Sequence, residues 1–203
     1  MKKNKISKNW INRQRKDIYV RKSKIDGFRS RAVYKLQELD EKFNIINNDI
    51  SLIDLGAAPG SWSQYAAKKI KKGKILSIDL NRFDKISNIK QLVGDFTEYS
   101  QKSVIKEYFG SKVDVVLSDM AVNTTGNKDL DSIQTGELCK DAMNFSKEIL
   151  NNKGYFISKI FMGSSFNEIL TDAKKIFKEI KIFKPKASRK DSKESFIICK
   201  FLQ

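Results

Sequence analysis

Histidine is absent from the 203-residue chain. Serine–histidine–aspartate and cysteine–histidine mechanisms are therefore excluded, and any acid–base chemistry must rest on lysine, aspartate, glutamate or tyrosine. The two cysteines, Cys139 and Cys199, are too few and too scattered for a disulfide framework or a zinc site. No metal is expected, and a reducing cytoplasm is the simplest setting. No apolar run approaches the ~20 residues that a membrane span needs, so no membrane partner is expected. The N-terminal stretch is basic and polar where a signal peptide would be apolar. Acidic residues are in deficit too: 24 Asp+Glu face 40 Lys+Arg, a formal net charge of +16. An excess of that size points to a polyanionic partner. With 40% hydrophobic and 32% charged residues, the composition is that of a soluble globular chain with one sizeable core.

Charge is most biased in residues 1–31, which hold twelve Lys/Arg against Asp17 and Asp26, with Trp10, Tyr19 and Phe28 interleaved. Cations with aromatics suit a nucleic-acid arm, because phosphates take the charge and bases stack on rings. The competing reading is a solvated tail whose aromatics dock on the domain. The chain divides accordingly into a basic arm, 1–29, and a single domain, 30–203.

Glycine is sparse, yet two fall in one short stretch, Asp54-Leu55-Gly56-Ala57-Ala58-Pro59-Gly60. Ser51-Leu52-Ile53 reads as the end of a buried strand. Ser61 to about Ile70 reads as a helix, with Trp62, Tyr65, Ala66 and Ile70 at near-helical spacing. Between them a small-residue turn could let a ligand reach backbone N–H groups and the helix N-terminus; an ordinary tight connection is the alternative. The glycines fall as G-x-x-x-G, whereas a dinucleotide site calls for G-x-G-x-x-G, which disfavours a nicotinamide oxidoreductase. The Gly-Lys-Ser/Thr of a P-loop is missing as well.

The rest alternates between the two periodicities. Ser30 is a candidate N-cap for a helix through about Phe43, with Val33, Leu36, Leu39 and Phe43 as its buried stripe. Lys35 lies at the edge of that stripe, where spacing alone favours a snorkelling surface lysine. Lys74–Leu80 and Ile89–Phe96 read as strands that place Asp79 and Asp95 near their ends. Residues 97–109 read as a helix burying Val104, Ile105, Tyr108 and Phe109. Val113–Asp119 is a continuous apolar run ending in a carboxylate, as a central parallel strand would be. A loop over roughly 122–132 precedes a helix to about Leu150, which Asn151–Gly154 stops. Tyr155–Phe161 is a strand with Lys159 inside an apolar run, unfavourable unless the ammonium is paired or functional. A helix (Phe166–Phe177), a strand (Ile180–Phe183), a basic loop (Lys184–Lys193) and a last strand (Ser195–Leu202, opened by Glu194) complete the chain. The pattern predicts an α/β fold: a mostly parallel sheet, helices on both faces and an antiparallel final strand. Gly56, Asp79, Asp95 and Asp119 would share the carboxyl edge of the sheet, where ligands bind, with Lys159 close by.

The run D-L-G-A-A-P-G-x-W-S-Q at 54–64 resembles the cofactor loop of class I methyltransferases and, more narrowly, that of the FtsJ/RrmJ family of RNA ribose 2′-O-methyltransferases. Four further stretches resemble that family in its own order. They are S-R-A-x-x-K-L at 30–36, D-M-A-x-N at 119–123, K-x-F-x-G at 159–163 and S-R-x-x-S-x-E at 188–194; Val122 stands where the family usually has proline. The resemblance spans about Ser30 to Leu202. It implies a Rossmann-like class I methyltransferase fold with a seven-stranded sheet and S-adenosylmethionine as cofactor. The cofactor residues it implies are Gly56, Gly60, Trp62, Asp79 at the ribose, Asp95 at the adenine amino group, Phe96 and Asp119. The catalytic tetrad it implies is Lys35, Asp119, Lys159 and Glu194.

Methyl transfer from a sulfonium needs an in-line acceptor and removal of its proton. With histidine absent, Lys159 is the candidate base. A free lysine has a pKa of about 10.4, and Asp119 and Glu194 would hold it charged. Lys35, burial and the positive sulfur would push the other way. Within the family the short form with a basic arm is most similar to the bacterial branch acting on a uridine ribose of large-subunit (23S) ribosomal RNA, which implies a monomer bound to ribosomal RNA, within the large subunit. The alternatives are the tRNA anticodon loop, an mRNA cap, and a non-catalytic RNA-binding ribosome-assembly factor on the same fold.

Overall fold

A computed structural model describes residues 14–122 and 128–203. Trp10, the cations before residue 14, and the Asn123 end of the D-M-A-x-N stretch lie outside the described residues. The strands are β1 (Leu52–Leu55), β2 (Ile75–Asp79), β3 (Lys90–Val93), β4 (Val113–Ser118), β5 (Leu150–Phe161), β6 (Phe177–Phe183) and β7 (Glu194–Leu202). They form one sheet in the order β3-β2-β1-β4-β5-β7-β6. Neighbours from β3 through β5 pair in parallel, while β7 runs antiparallel to both β5 and β6. That is the sheet predicted from the alternation of elements. The order reverses between β1 and β4, and the crevice at such a reversal is where ligands of open α/β sheets bind.

The helices are α1 (Ile18–Ile25), α2 (Val33–Phe43), α3 (Ser61–Lys69), α4 (Tyr99–Phe109), α5 (Lys128–Ile149) and α6 (Phe166–Ile176). Because strand side chains alternate, Ile53, Leu55, Leu76 and Ile78 pack with Ile105, Phe145 and Ile169 of α4, α5 and α6 on one face. Leu52, Ile75, Val115 and Leu117 pack with Leu36, Leu39, Trp62 and Ala66 of α2 and α3 on the other. Every residue of β1 is buried, as a parallel strand covered on both faces must be. Among the described residues no helix is long and apolar enough to cross a membrane.

Four local expectations are corrected. Ser30 does not cap α2: the cap position is Ala32, which has no side-chain bond, and the Ser30 hydroxyl pairs with that of Ser61 at 2.8 Å. The helix does stop at Ile149, but Asn151–Gly154 does not lie between it and the strand. That stretch is a bulge in β5, since Leu150 pairs with Val113 and Tyr155 with Val115, leaving four residues opposite Asp114. The Asp114 carboxylate accepts from Asn151 Nδ2 and from the Ser51 N–H, so the polar residues satisfy the interrupted ladder. Val104 is 40% exposed, because α4 turns only Ile105 and Phe109 fully inward. Finally, α5 begins at Lys128, inside the stretch expected to be loop.

The arm residues within the described range fold back on the domain. Asp17 caps α1 by accepting from the Tyr19 N–H. Phe28 is buried with Val33, Tyr34 and Ala187, and the Tyr19 and Tyr34 rings lie 5.4 Å apart. Asp40, near the end of α2, accepts from the Ile45 and Ile46 N–H groups, the Tyr65 hydroxyl and Lys69. Trp62 Nε1 donates to the Ala32 carbonyl at 2.7 Å. Both ends of α2, the helix carrying Lys35, are thus fastened to α3.

Candidate active site

The chain leaves β1 at Leu55 and turns at Gly56, whose φ is +71°. A Cβ at Gly56 would lie 2.2 Å from Met120 Cγ, so only glycine lets the loop after β1 approach the loop after β4. A cavity of about 300 Å³ opens there, with Gly56, Asp79, Asp95, Phe96, Asp119 and Met120 in its lining. That volume is at the lower end of small-molecule sites. Asp79 Oδ2 accepts from the Ala58 N–H, and its Oδ1 accepts from Asn81, so this carboxylate shapes the loop it faces. Asp95, also in the cavity lining, accepts through Oδ1 from the N–H and hydroxyl of Thr97, and among the described residues its Oδ2 has no hydrogen bond.

The N–H groups of the loop itself are already engaged. Gly56 and Ala57 donate to the Ile78 carbonyl, Ala58 to Asp79, and Gly60 to Ala57. A phosphate-binding loop needs such donors free. This one offers space and carboxylates instead, which suits a ligand bearing hydroxyls, an amino group and positive charge. A nicotinamide dinucleotide, with its pyrophosphate, fits it poorly.

Beneath the loop Asp54 is buried, with Oδ2 accepting from Ser63 Oγ at 2.5 Å, and Ser63 and Ser77 hydroxyls 2.6 Å apart. Burial pushes the Asp54 carboxyl up to about 7, with the Ser63 hydrogen bond opposing and the charges of Asp119 and Asp79 adding to the rise.

Beside the cavity stand two lysines and two carboxylates. Lys35 Nζ donates to Glu194 Oε2 at 2.8 Å and lies 3.3 Å from Asp119 Oδ2. Lys159 Nζ lies 2.9 Å from Asp119 Oδ1 and 3.8 Å from Glu194 Oε2, and donates to the Asp119 carbonyl at 3.0 Å. All four side chains are 10–16% exposed. Burial alone would lower the Lys35 pKa, but Asp119 and Glu194 outweigh it and hold the ammonium above the ordinary lysine range. Burial alone would raise Asp119; Lys159 and Lys35 outweigh it and hold the carboxylate below its usual range. For Lys35, then, the carboxylates win the contest against desolvation.

A second cavity, about 320 Å³, shares Lys35 and Glu194 with this cluster and is lined by Arg31, Arg189 and Ser192 among others. Asp119 faces the first cavity; Lys35 and Glu194 face the second. Glu194 is fixed from behind by Ser188, whose hydroxyl donates to Oε1 at 2.6 Å. The loop bearing Ser188 is held in turn by Glu38, which accepts from the Lys186 and Ala187 N–H groups, and by Arg31, which donates to the Ala187 carbonyl.

The structure brings together Lys35, Asp119, Lys159 and Glu194, and it places Gly56, Asp79, Asp95, Phe96 and Asp119 around one cavity. It does not bring Gly60 or Trp62 into that lining. A Cβ at Gly60 would meet Arg29 Nη1 at 2.7 Å, and Trp62 is 3% exposed against Phe196. Sequence reasoning missed Arg29, counting it only as one of the arm cations. Its guanidinium donates to the carbonyls of Pro59, Asp84 and Lys85, joining the loop after β1 to the segment after β2. It also missed the role of Ser188. The signals were present, since each directly adjoins or begins a quoted motif.

Comparison with known proteins agrees with this geometry. The FtsJ-like methyltransferase family model matches residues 28–202. The ribosomal RNA large subunit methyltransferase E of Pelagibacter ubique is 64% identical over 203 residues, covering all of both chains. The protein of the same name from Rickettsia bellii is 46% identical over 198 residues, covering 95% of this chain and 87% of that one. A crystal structure from Plasmodium falciparum, described as a ribosomal RNA methyltransferase, superposes with a TM-score of 0.77 at 34% identity, covering 86% of this chain and 98% of the other. With the family model spanning nearly the whole domain and full-length relatives well above a third identical, this chain belongs to the FtsJ-like methyltransferase family.

Proposed function

We propose that the protein methylates the 2′-hydroxyl of a ribose in RNA, a uridine of large-subunit (23S) ribosomal RNA, with S-adenosylmethionine as cofactor. The observation that carries this reading is the lysine–carboxylate cluster whose members are shared between two cavity linings, Asp119 in one and Lys35 and Glu194 in the other. One suits a charged adenosine compound, and the other opens on arginine and lysine. The cofactor residues fit the group: Asp79 faces the place of a ribose, Asp95 Oδ2 is open for an amino group, and Gly56 leaves the room a side chain would fill. S-adenosylmethionine supplies an electrophilic methyl on a positively charged sulfur.

The chain's own residues do the rest. Lys35, held charged by Asp119 and Glu194, donates a hydrogen bond to the acceptor ribose. Lys159, once its ammonium proton has passed to solvent, takes the proton of the 2′-hydroxyl as the new O–CH3 bond forms and the S–CH3 bond breaks. Asp119, through its carboxylate and its carbonyl, aims the Lys159 side chain at that oxygen, and Glu194 balances the charge. The arm (1–29) and the domain (30–203) act together as a monomer, in the cytoplasm, on RNA within the large ribosomal subunit. The names of the relatives and the net charge of +16 support an rRNA substrate.

The test is transfer of labelled methyl from S-adenosylmethionine to large subunits from a strain lacking the modification, with Lys159→Ala in parallel. Label in ribose from the native protein alone is expected. Label in the base, or equal transfer by Lys159→Ala, overturns the chemistry. Transfer to tRNA and not to subunits overturns the substrate.

A further inference from the structure

Arg31 and Arg189 line two cavities at once. One is the tetrad cavity with Lys35 and Glu194; the other is a groove of about 870 Å³ between α1 and the 184–193 loop. Whatever polymer seats one residue in the first cavity has an adjoining path through the second. The groove combines two unlike surfaces. Ile18, 70% exposed, and Tyr19 give it an apolar wall, while its lining holds six basic side chains against the carboxylates of Asp17 and Asp191.

The ion pairs inside the groove decide which cation is available. Asp17 caps α1 and pairs with Arg31, and Arg31 also donates to the Ala187 carbonyl. That guanidinium is engaged on both sides and pins the arm to the loop. Arg189 is a third exposed, and its ion pair among the described residues runs 3.7 Å from Nε to Asp17. Among the described residues its two Nη groups, forked and planar, make no hydrogen bond, and Arg189 lines the tetrad cavity as well. Lys186 and Lys190 lie farther along the same loop, both exposed.

An exposed isoleucine next to open cations is the pairing that a single strand needs, since an unpaired base offers a flat apolar face and each nucleotide carries a phosphate. We propose that this groove holds the single-stranded RNA segment adjoining the acceptor nucleotide. A flanking base lies against Ile18 and Tyr19, the nearest phosphate meets the Nη fork of Arg189, and Lys186 and Lys190 follow the backbone. The Asp17–Arg31 pair fixes the spacing of the two walls. The proposal rests on the methyl-transfer reading above.

The test places a photo-crosslinking residue, p-benzoylphenylalanine, at Ile18 in the full chain. This protein is irradiated with unmodified large subunits and S-adenosylhomocysteine, and adducts are mapped by primer extension. Adducts within a few nucleotides of the methylated ribose are expected. Adducts elsewhere, or none from a protein that still methylates, overturn the groove and leave the methyl-transfer reading standing. If the native protein transfers no methyl to these subunits, both fall. In a second arm, Ile18→Asp and Arg189→Ala are each expected to raise KM for subunits about tenfold or more, the scale of a single stacking or phosphate interaction. Thermal stabilisation by S-adenosylmethionine should match the native protein's. An unchanged KM in both variants overturns the proposal.

Discussion

Lys35→Met removes one of four charges from a nearly dry cluster. In the native protein two ammonium groups and two carboxylates balance. Without Lys35, Glu194 loses its 2.8 Å partner and faces Lys159 only at 3.8 Å, while Asp119 keeps Lys159 at 2.9 Å. Breaking a buried pair by deleting one member destabilises by about 3–5 kcal/mol, because the other charge stays behind uncompensated. Glu194→Gln leaves a surplus ammonium, which can shed its proton, so a smaller loss of about 1–3 kcal/mol is expected. The double variant restores neutrality with Lys159 and Asp119 as a complete pair. Its loss should therefore fall short of the sum of the single losses by about 1–3 kcal/mol. Urea unfolding of the four proteins at one pH gives the cycle; activity is not the readout, since both residues belong to the tetrad. The pH dependence has a definite sign. Lys35 is raised in the folded state, so its contribution is complete below the ordinary lysine range and is lost as pH rises through the raised value. Asp119 is lowered, so its contribution is complete above the ordinary aspartate range and is lost as pH falls through the lowered value. Lys35→Met should flatten the alkaline limb. Additive losses within about 0.5 kcal/mol, with an unchanged alkaline limb, would refute the coupled cluster.

Gly56→Ala puts a methyl 2.2 Å from Met120 Cγ at a φ of +71°, which must push Met120 into the cavity it lines. Protection against thermal unfolding by S-adenosylmethionine should disappear while far-UV dichroism stays native; retained protection would contradict the close-approach argument. Asp54, with a folded value of about 7 against 3.8, contributes stability that is complete below the lower value and lost as pH rises through the upper one. At about 1.4 kcal/mol per unit this is a slope of a few kcal/mol, which Asp54→Asn should abolish in Tm measured from pH 4 to 8. Ser188→Ala strips Glu194 Oε1 of its 2.6 Å donor. It should lower kcat more than it raises KM for RNA, and Ser188→Thr should restore much of the rate.

The sheet was readable because its inner strands announce both ends: buried, mostly apolar runs close on a carboxylate at Asp79 and Asp119, while the partly exposed edge strand β3 is followed by Asp95. Lys159 was readable for the opposite reason, a charge inside an apolar strand that needs partners to exist there. Lys35 was not readable from spacing, since the helical row it occupies serves equally well for a snorkelling side chain. Only its partners, 159 and 84 positions away, decide the matter. Arg29 was hidden among twelve cations of residues 1–31 that look alike in sequence; three carbonyls from two distant segments set it apart. Trp62 is singled out by its motif alone, and it lies outside the lining of the first cavity. Its N–H is claimed by Ala32 and its ring lies against Phe196. Asn151–Gly154 carries loop chemistry that a bulge uses just as well.

The engaged donors of the loop after β1 bear on life in a crowded cell. Adenosine is common currency among abundant metabolites, and in the roles proposed for them Asp79 and Asp95 would greet the sugar and base of ATP or NAD as readily as those of the methyl donor. Discrimination falls to the next few ångströms, where those molecules carry phosphate. There Gly56, Ala57, Ala58 and Gly60 have given their N–H groups to the protein itself, and an ionised Asp119 stands at the wall. A phosphate arriving there would surrender its water and find no donor in the loop to replace it, with a carboxylate opposite. A sulfonium meets the reverse. The loop selects its ligand by what it withholds, so the competitors need not be rarer than the cofactor for the site to stay clear of them.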